Sequence, residues 1–169
     1  WHPDWTTDAG YGSEENYDLL AQKQMGAFVK YPSWYAEKSG KIAEKIYNKY
    51  NWTYEEQGDY FVCPQEKKLP FVEQIEWANK NGFKQTFKVY ECESCQDCPV
   101  FKDCRGEKAS EQTNRRVRVN ENLEIHKAKA KEKLASEQAV EKRSKRGTEV
   151  ETPFGDIKYN MGHRRFILR

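Results

Sequence analysis

The apolar pattern of the first 32 residues changes period twice. "DWTTDAGYG" (4–12) reads as the end of a strand running into a turn, with Gly10 and Gly12 expected to supply backbone angles that other residues avoid. Ser13 followed by "EENYDLLAQKQM" has the form of a helix start. The serine serves as N-cap and the acids fill the first turn, where they complement the helix dipole. Tyr17, Leu20 and Gln24 or Met25 would share the inward face. "GAFVKYP" (26–32) predicts a short apolar strand closed by Pro32. Strand, turn, helix, strand is an α/β unit, so this segment is expected in a mixed sheet covered by helices.

Residues 36–50, "AEKSGKIAEKIYNKY", predict an amphipathic helix with Ile42, Ile46 and Tyr50 spaced four apart. The period then changes. "WTYEEQGDYFVC" predicts a hairpin turning near Gly58, and "LPFVEQIEWANKNGFKQTFKVYEC" predicts further strands turning at "NKNG". From about 105 to 147 the chain is charged and mostly helical in propensity, most clearly in "NENLEIHKAKAKEKLASEQ". Thr148 to Met161 predicts another helix, with Val150, Phe154, Ile157 and Met161 as one buried stripe. Pro153 requires that helix to begin near Thr148 or to kink. The expected organisation is an α/β segment (1–35), a mainly β, cysteine-containing insertion subdomain (36–110) and a helical return to the core (111–169).

Composition narrows the class. A chain of 169 residues can bury one real core, and 14% aromatic residues argue against disorder. No run approaches the ~20 apolar residues of a membrane span. The first 20 residues hold five acids and no Lys or Arg, the reverse of a secretory leader, so a cytoplasmic location is expected. A start at Trp1 and a pattern still running at Arg169 suggest a piece of a longer protein. The net charge of +2 conceals an asymmetry, because residues 105–146 carry 13 Lys or Arg against 7 Glu. A basic second half fits a surface for a polyanion, and equally a solvated helix face.

Five cysteines sharpen this. Cys92, Cys95, Cys98 and Cys104 lie in "CESCQDCPVFKDC", and Cys63 lies apart in "FVCPQ". In a cytosolic chain this density favours metal binding over disulfides. A tetrahedral structural zinc wants four thiolates, with close pairs drawn from separate parts of the chain. Cys95 and Cys98 form one pair, Cys63 and Cys104 could close the site, and Cys92 is an alternate ligand. An iron–sulfur cluster and unmetallated thiols stay open, since the x2, x2 spacing with Pro99 is ferredoxin-like while the x5 gap is not.

Asp8 falls at the carboxyl end of a predicted strand, where open α/β sheets place functional groups. The alternative is a turn aspartate capping the "AGYG" bend. Glu151 and Lys158 are seven apart, two helical turns, and would project from one side to hold a metal ion and an adjacent phosphate, or form an ordinary surface pair.

Taken together, "DAGYGSEENY" (8–17), "CESCQDCPVFKDC" (92–104), "KRGTEVETPFGDIK" (145–158) and "GHRRFILR" (162–169) resemble the carboxyl-terminal part of the DDE transposases of bacterial insertion sequences. More narrowly, they resemble the branch with cysteines between the second Asp and the Glu. That resemblance implies a ribonuclease-H-like core in which two Asp and one Glu hold Mg²⁺ or Mn²⁺. It implies Asp8 as the second acid and Glu151 as the third, with the first expected upstream of Trp1. The family's Tyr-x2-Arg and Glu-x6-Lys signatures map onto Arg146, Glu151 and Lys158, with Arg143 where the Tyr would stand. The implied activity is metal-dependent cleavage and strand transfer at double-stranded DNA by a homodimer in a synaptic complex, near the nucleoid. Arg146 and Lys158 would clamp phosphates. Arg164, Arg165, Arg115, Arg116 and the lysines of 127–133 would follow the DNA backbone. Trp52, Tyr54 and Trp77 could stack on bases or pack a core.

Overall fold

In the computed structural model the described residues are 3–110, 112–146 and 155–161. The chain divides into two units, Trp1–Pro32 with His126–Arg169, and Ser33–Ile125.

The first unit begins with the expected strand–helix–strand. β1 (Asp4–Thr7) and β2 (Gly26–Val29) pair in parallel, in register from Asp4 opposite Gly26 to Thr7 opposite Val29. The crossover between them is α1 (Glu14–Gln22), started by Ser13, whose side chain accepts from Asn16 N at 3.3 Å. Tyr17 and Leu20 are buried, and the Tyr17 hydroxyl donates to Val29 O at 3.0 Å, tying helix to strand. Ala130 and Leu134 of α4 (Glu121–Ala135) and Ala139 of α5 (Glu137–Arg146) are also buried. α5 packs beside β1, where Lys142 Nζ reaches Asp4 Oδ2 at 2.8 Å. The ammonium groups of Lys133 and Lys142 lie 5.0 and 5.2 Å from the Phe28 ring centroid. At this distance the ring face attracts each cation.

The second unit is built on an antiparallel sheet in chain order: β3 (Thr53–Glu55), β4 (Tyr60–Val62), β5 (Lys68–Ala78), β6 (Lys84–Glu91) and β7 (Arg116–Val119). β3 and β4 turn through Asp59, which takes the left-handed conformation at φ 47° beside Gly58. Its carboxylate accepts from the hydroxyls of both Tyr54 and Tyr90 at 2.7 Å, which hold its pKa below the ordinary aspartate value. β5 and β6 turn at Asn79–Gly82, as "NKNG" predicts, with Gly82 at φ 83°. A bulge between Phe71 and Glu73 splits β5. Below it lies the core of Trp52, Leu69, Tyr90, Cys92, Cys95 and Val117; above it Val72 and Trp77 are exposed.

The fold departs from several expectations. The helix over 36–50 is only α2 (Trp34–Lys38), because Ser39 ends it and Gly40 follows at φ 76°, a left-handed helix terminator. Turns follow, and Ile46 and Tyr50 are exposed instead of forming a stripe. Residues 116–119 are strand, where a charged helix was expected. Arg-Val-Arg-Val alternates with period two, which buries Val117 and leaves both arginines outside. Neither Gly10 nor Gly12 adopts a positive φ. Gly12 is required by proximity, since a Cβ there would collide with Lys30 O and lie 2.7 Å from Tyr31 Cα. Most of the helix expected over 148–161 lies outside the described residues. Its described end is a turn of π-helix at Asp156–Asn160, where Ile157 is half-buried and Met161 is exposed, against the proposed stripe. No helix among the described residues is long and apolar enough to cross a membrane.

Candidate functional site

Asp8 follows the last residue of β1 and is exposed, with extended backbone at φ −73° and ψ 167°. Its carbonyl accepts from Tyr11 N at 3.0 Å, closing a single 3₁₀ turn over Ala9–Tyr11. Its carboxylate makes no capping hydrogen bond to that turn. The bend is closed by backbone hydrogen bonding, without a cap from the Asp8 side chain. An exposed carboxylate at a strand end is a hard oxygen donor suited in type to Mg²⁺ or Mn²⁺. In the same unit His126 Nε2 meets Asp18 Oδ1 at 2.7 Å, and the imidazole stacks on Tyr17 with centroids 5.5 Å apart. Nothing in the spacing of the sequence pointed to this pair, which lies 108 residues apart.

Glu151, Arg164 and Arg165 lie outside the described residues, as do the side chains of Arg146 and Lys158. Arg146 ends α5, and Lys158 belongs to the Asp156–Asn160 turn. Arg143, standing where the resemblance expects a tyrosine, donates from Nη1 to Leu134 O at 3.0 Å and so ties α5 to the last turn of α4.

Basic groups cluster in the second unit. A cavity of about 540 Å³ is lined by Lys45, Lys49, Arg115, Arg116 and Arg118, with the acids Glu44 and Asp103 at its wall. Arg116 is held within the sheet by Glu91 at 2.6 Å and Glu73 at 3.6 Å. Of the three aromatics considered for base stacking, Trp52 is core and donates from Nε1 to Ile46 O at 2.9 Å. Tyr54 is engaged with Asp59 and packs on Phe61, and Trp77 is 56% exposed.

All five cysteines are free thiols and line one small cavity of about 30 Å³. Cys63 leaves β4, Cys92 follows β6, Cys95 and Cys98 share a turn, and Cys104 lies in α3 (Phe101–Arg105). Among the described residues no three His, Cys, Asp or Glu side chains converge as a metal-binding group. Burial pushes the Cys92 thiol up; burial also raises Cys104, against the lowering effect of the Arg115 charge. Arg105 and Arg115 line the same cavity, and the Nε of each is buried without a hydrogen-bond partner. Sequence spacing did not single out Arg105 or Asn114, whose side chain accepts from Cys95 N at 2.8 Å.

The profile of the transposase DDE domain family matches residues 62–169. The chain belongs to this family. The match begins at the last residue of β4 and takes in the cysteine segment and residues 151–158, leaving Asp8 outside it. The resemblance seen in the sequence is thereby confirmed at the level of the family. No curated protein and no solved structure matches the chain.

Proposed function

We propose that this chain is part of a DNA transposase that cleaves and joins phosphodiester bonds at the ends of an insertion sequence. The observation that carries the reading is the family match, which spans more than half of the chain and includes "RGTEVETPFGDIK". Asp8 supports it, as an exposed carboxylate at the end of a parallel strand that does not cap its own turn.

Asp8 and Glu151 would hold Mg²⁺ or Mn²⁺, with the remaining acid of the family's set supplied from upstream of Trp1, so that this chain alone is inactive. When bound, such ions neutralise phosphate charge and lower the cost of forming the nucleophile. Lys158 and Arg146 fix the phosphate by charge-assisted hydrogen bonds. Arg164 and Arg165 extend the contact along double-stranded DNA, a contribution that weakens with salt. Water and then the released 3′-hydroxyl act as nucleophiles, so no side chain needs to form a covalent intermediate. The surrounding architecture in this reading is a ribonuclease-H-like core to which residues 1–32 and 126–169 contribute, interrupted by a subdomain that runs wider than 36–110, over 33–125, because β7 belongs to its sheet. The protein would act as a homodimer in a synaptic complex, associated with the nucleoid.

The test is Mg²⁺-dependent cleavage of element-end DNA by the full-length protein. Asp8→Ala and Glu151→Ala should each reduce cleavage by more than the roughly 10–100-fold typical of a residue that only supports a ligand, while binding of the same DNA persists. Full Mg²⁺-dependent cleavage by either variant would refute the assignment. Absence of an acidic strand residue upstream of Trp1 would favour a non-catalytic nucleic-acid-binding module instead.

A further inference from the structure

We infer that the five-cysteine cavity is a site for a single soft divalent cation, zinc, with Cys63, Cys95, Cys98 and Cys104 as its thiolate ligands and Cys92 outside the ligand set. Three separate stretches of chain deliver the ligands. Cys63 opens a tight turn in which Glu66 N donates to Cys63 O at 2.9 Å and Cys63 N to Lys67 O at 3.0 Å, with Glu66 at φ 56°. Cys95 and Cys98 bracket a second tight turn, with Cys98 N donating to Cys95 O at 3.3 Å and Asp97 at φ 54°. Cys104 comes from α3, whose backbone is fixed by Cys104 N donating to Val100 O at 3.0 Å. Two left-handed non-glycine residues, each in a loop that carries a ligand, mark backbone held in shape by its surroundings.

The size of the cavity selects among the metals. About 30 Å³ suits one ion. A cluster of several irons and sulfides needs several times that space, which favours a single ion over an iron–sulfur centre. The polar surroundings select the charge. Four thiolates around Zn²⁺ leave a net double negative charge that must be balanced. The buried, unpartnered Nε groups of Arg105 and Arg115 line this cavity, and each offers a cationic donor. The Arg115 backbone N–H already donates to Cys95 Sγ at 3.2 Å. Cys92 differs in its hydrogen bonding: its thiol donates to Ser94 O at 3.6 Å, which requires its proton.

The side chains of the four ligands line the cavity without forming a tetrahedron. Coordination requires them to rotate inward from backbone that the two turns and α3 already hold in place. Each ligand thiol releases its proton to solvent as its Zn–S bond forms, so binding is coupled to pH and to folding.

The experiment is metal analysis of the full chain purified without chelator, followed by substitution with Co²⁺. One zinc per chain is expected, with intense sulfur-to-cobalt charge-transfer bands and tetrahedral d–d bands. Cys63→Ser, Cys95→Ser, Cys98→Ser and Cys104→Ser should each abolish stoichiometric zinc, and Cys92→Ser should retain it. Arg115→Gln should weaken binding by roughly 10–100-fold, as for other groups that support metal ligands. Should the serine variants fail to fold, the unaltered chain still decides the matter, because a chelator must lower its Tm and zinc must restore it. No bound zinc with no cobalt spectrum, an iron–sulfur chromophore, a Tm indifferent to chelator, or loss of zinc in a folded Cys92→Ser variant would each overturn the assignment.

Discussion

Asp8 and the cysteines are placed by opposite means. In the unit that contains β1 and β2, the carboxylate stands outside the packing. The strand ends, the backbone closes its own 3₁₀ turn, and the side chain stays exposed. In the unit that contains β3 to β7, the thiols are within or against the packing, with Cys92 and Cys95 in the same core as Trp52, Leu69 and Tyr90. The contrast follows from the chemistry of the groups. A carboxylate is costly to bury and binds hard, hydrated cations, so a fold needs only to fix the backbone beneath it. A thiol is nearly apolar, tolerates burial, and becomes a ligand when it gives up its proton to solvent and bonds a soft cation.

That comparison can be tested through packing. Leu69 is fully buried and lines the thiol cavity. Leu69→Ala should cost about 2–5 kcal/mol, measured by chemical denaturation, with hydrogen-exchange protection lost first in β4, β5 and β6. If protection fell equally in β1 and β2, the thiol-bearing unit would not be packed as a separate core. Gly12→Ala probes the other unit. The new methyl meets backbone at Lys30 and Tyr31, which cannot swing aside, so a loss of about 1–3 kcal/mol is expected, again by denaturation. A neutral result would mean that the approach of the 3₁₀ turn to the end of β2 is looser than described.

The smallest effect is a titration. Burial raises the Tyr17 hydroxyl from 10.0 to about 12. The folded state therefore holds this proton more tightly than the unfolded chain. Its contribution is fully present below pH 10 and is lost as pH rises toward 12. Tyr17→Phe should flatten that part of the stability curve, also at the expense of the 3.0 Å bond to Val29 O. An unchanged slope would show that Tyr17 does not carry it.

Much of the first unit could be read from local chemistry. Ser13, two acids and an apolar i, i+3 pair specify α1 without reference to anything distant, and "GAFVKYP" specifies its partner strand. β5 and β6 were equally legible from "NKNG". What escaped depended on contacts far along the chain. Gly12 looked like a flexible turn residue, whereas its role is set by Lys30 and Tyr31. Arg116 and Arg118 stood out as charge, which hid their alternation with Val117 and Val119. For the helix that stops at Lys38, the signal was present in Ser39-Gly40 and was outweighed by the Ile spacing beyond it. The cysteines were visible at once, but Arg105 beside them was not, and Arg115 was read as a DNA contact, because a buried Nε without a partner has no signature in spacing.

The bulge at Phe71–Glu73 has a practical consequence. Below it, Leu69 and Tyr90 anchor the ribbon; beyond it, β5 is exposed at nearly every position out to the Asn79–Gly82 turn. The outboard half is thus insulated from the core by a break in register. Its tip, exposed and far along the ribbon from Leu69 and Tyr90, is a natural place to attach a spectroscopic label or affinity handle without disturbing the sulfur-lined cavity of the same unit.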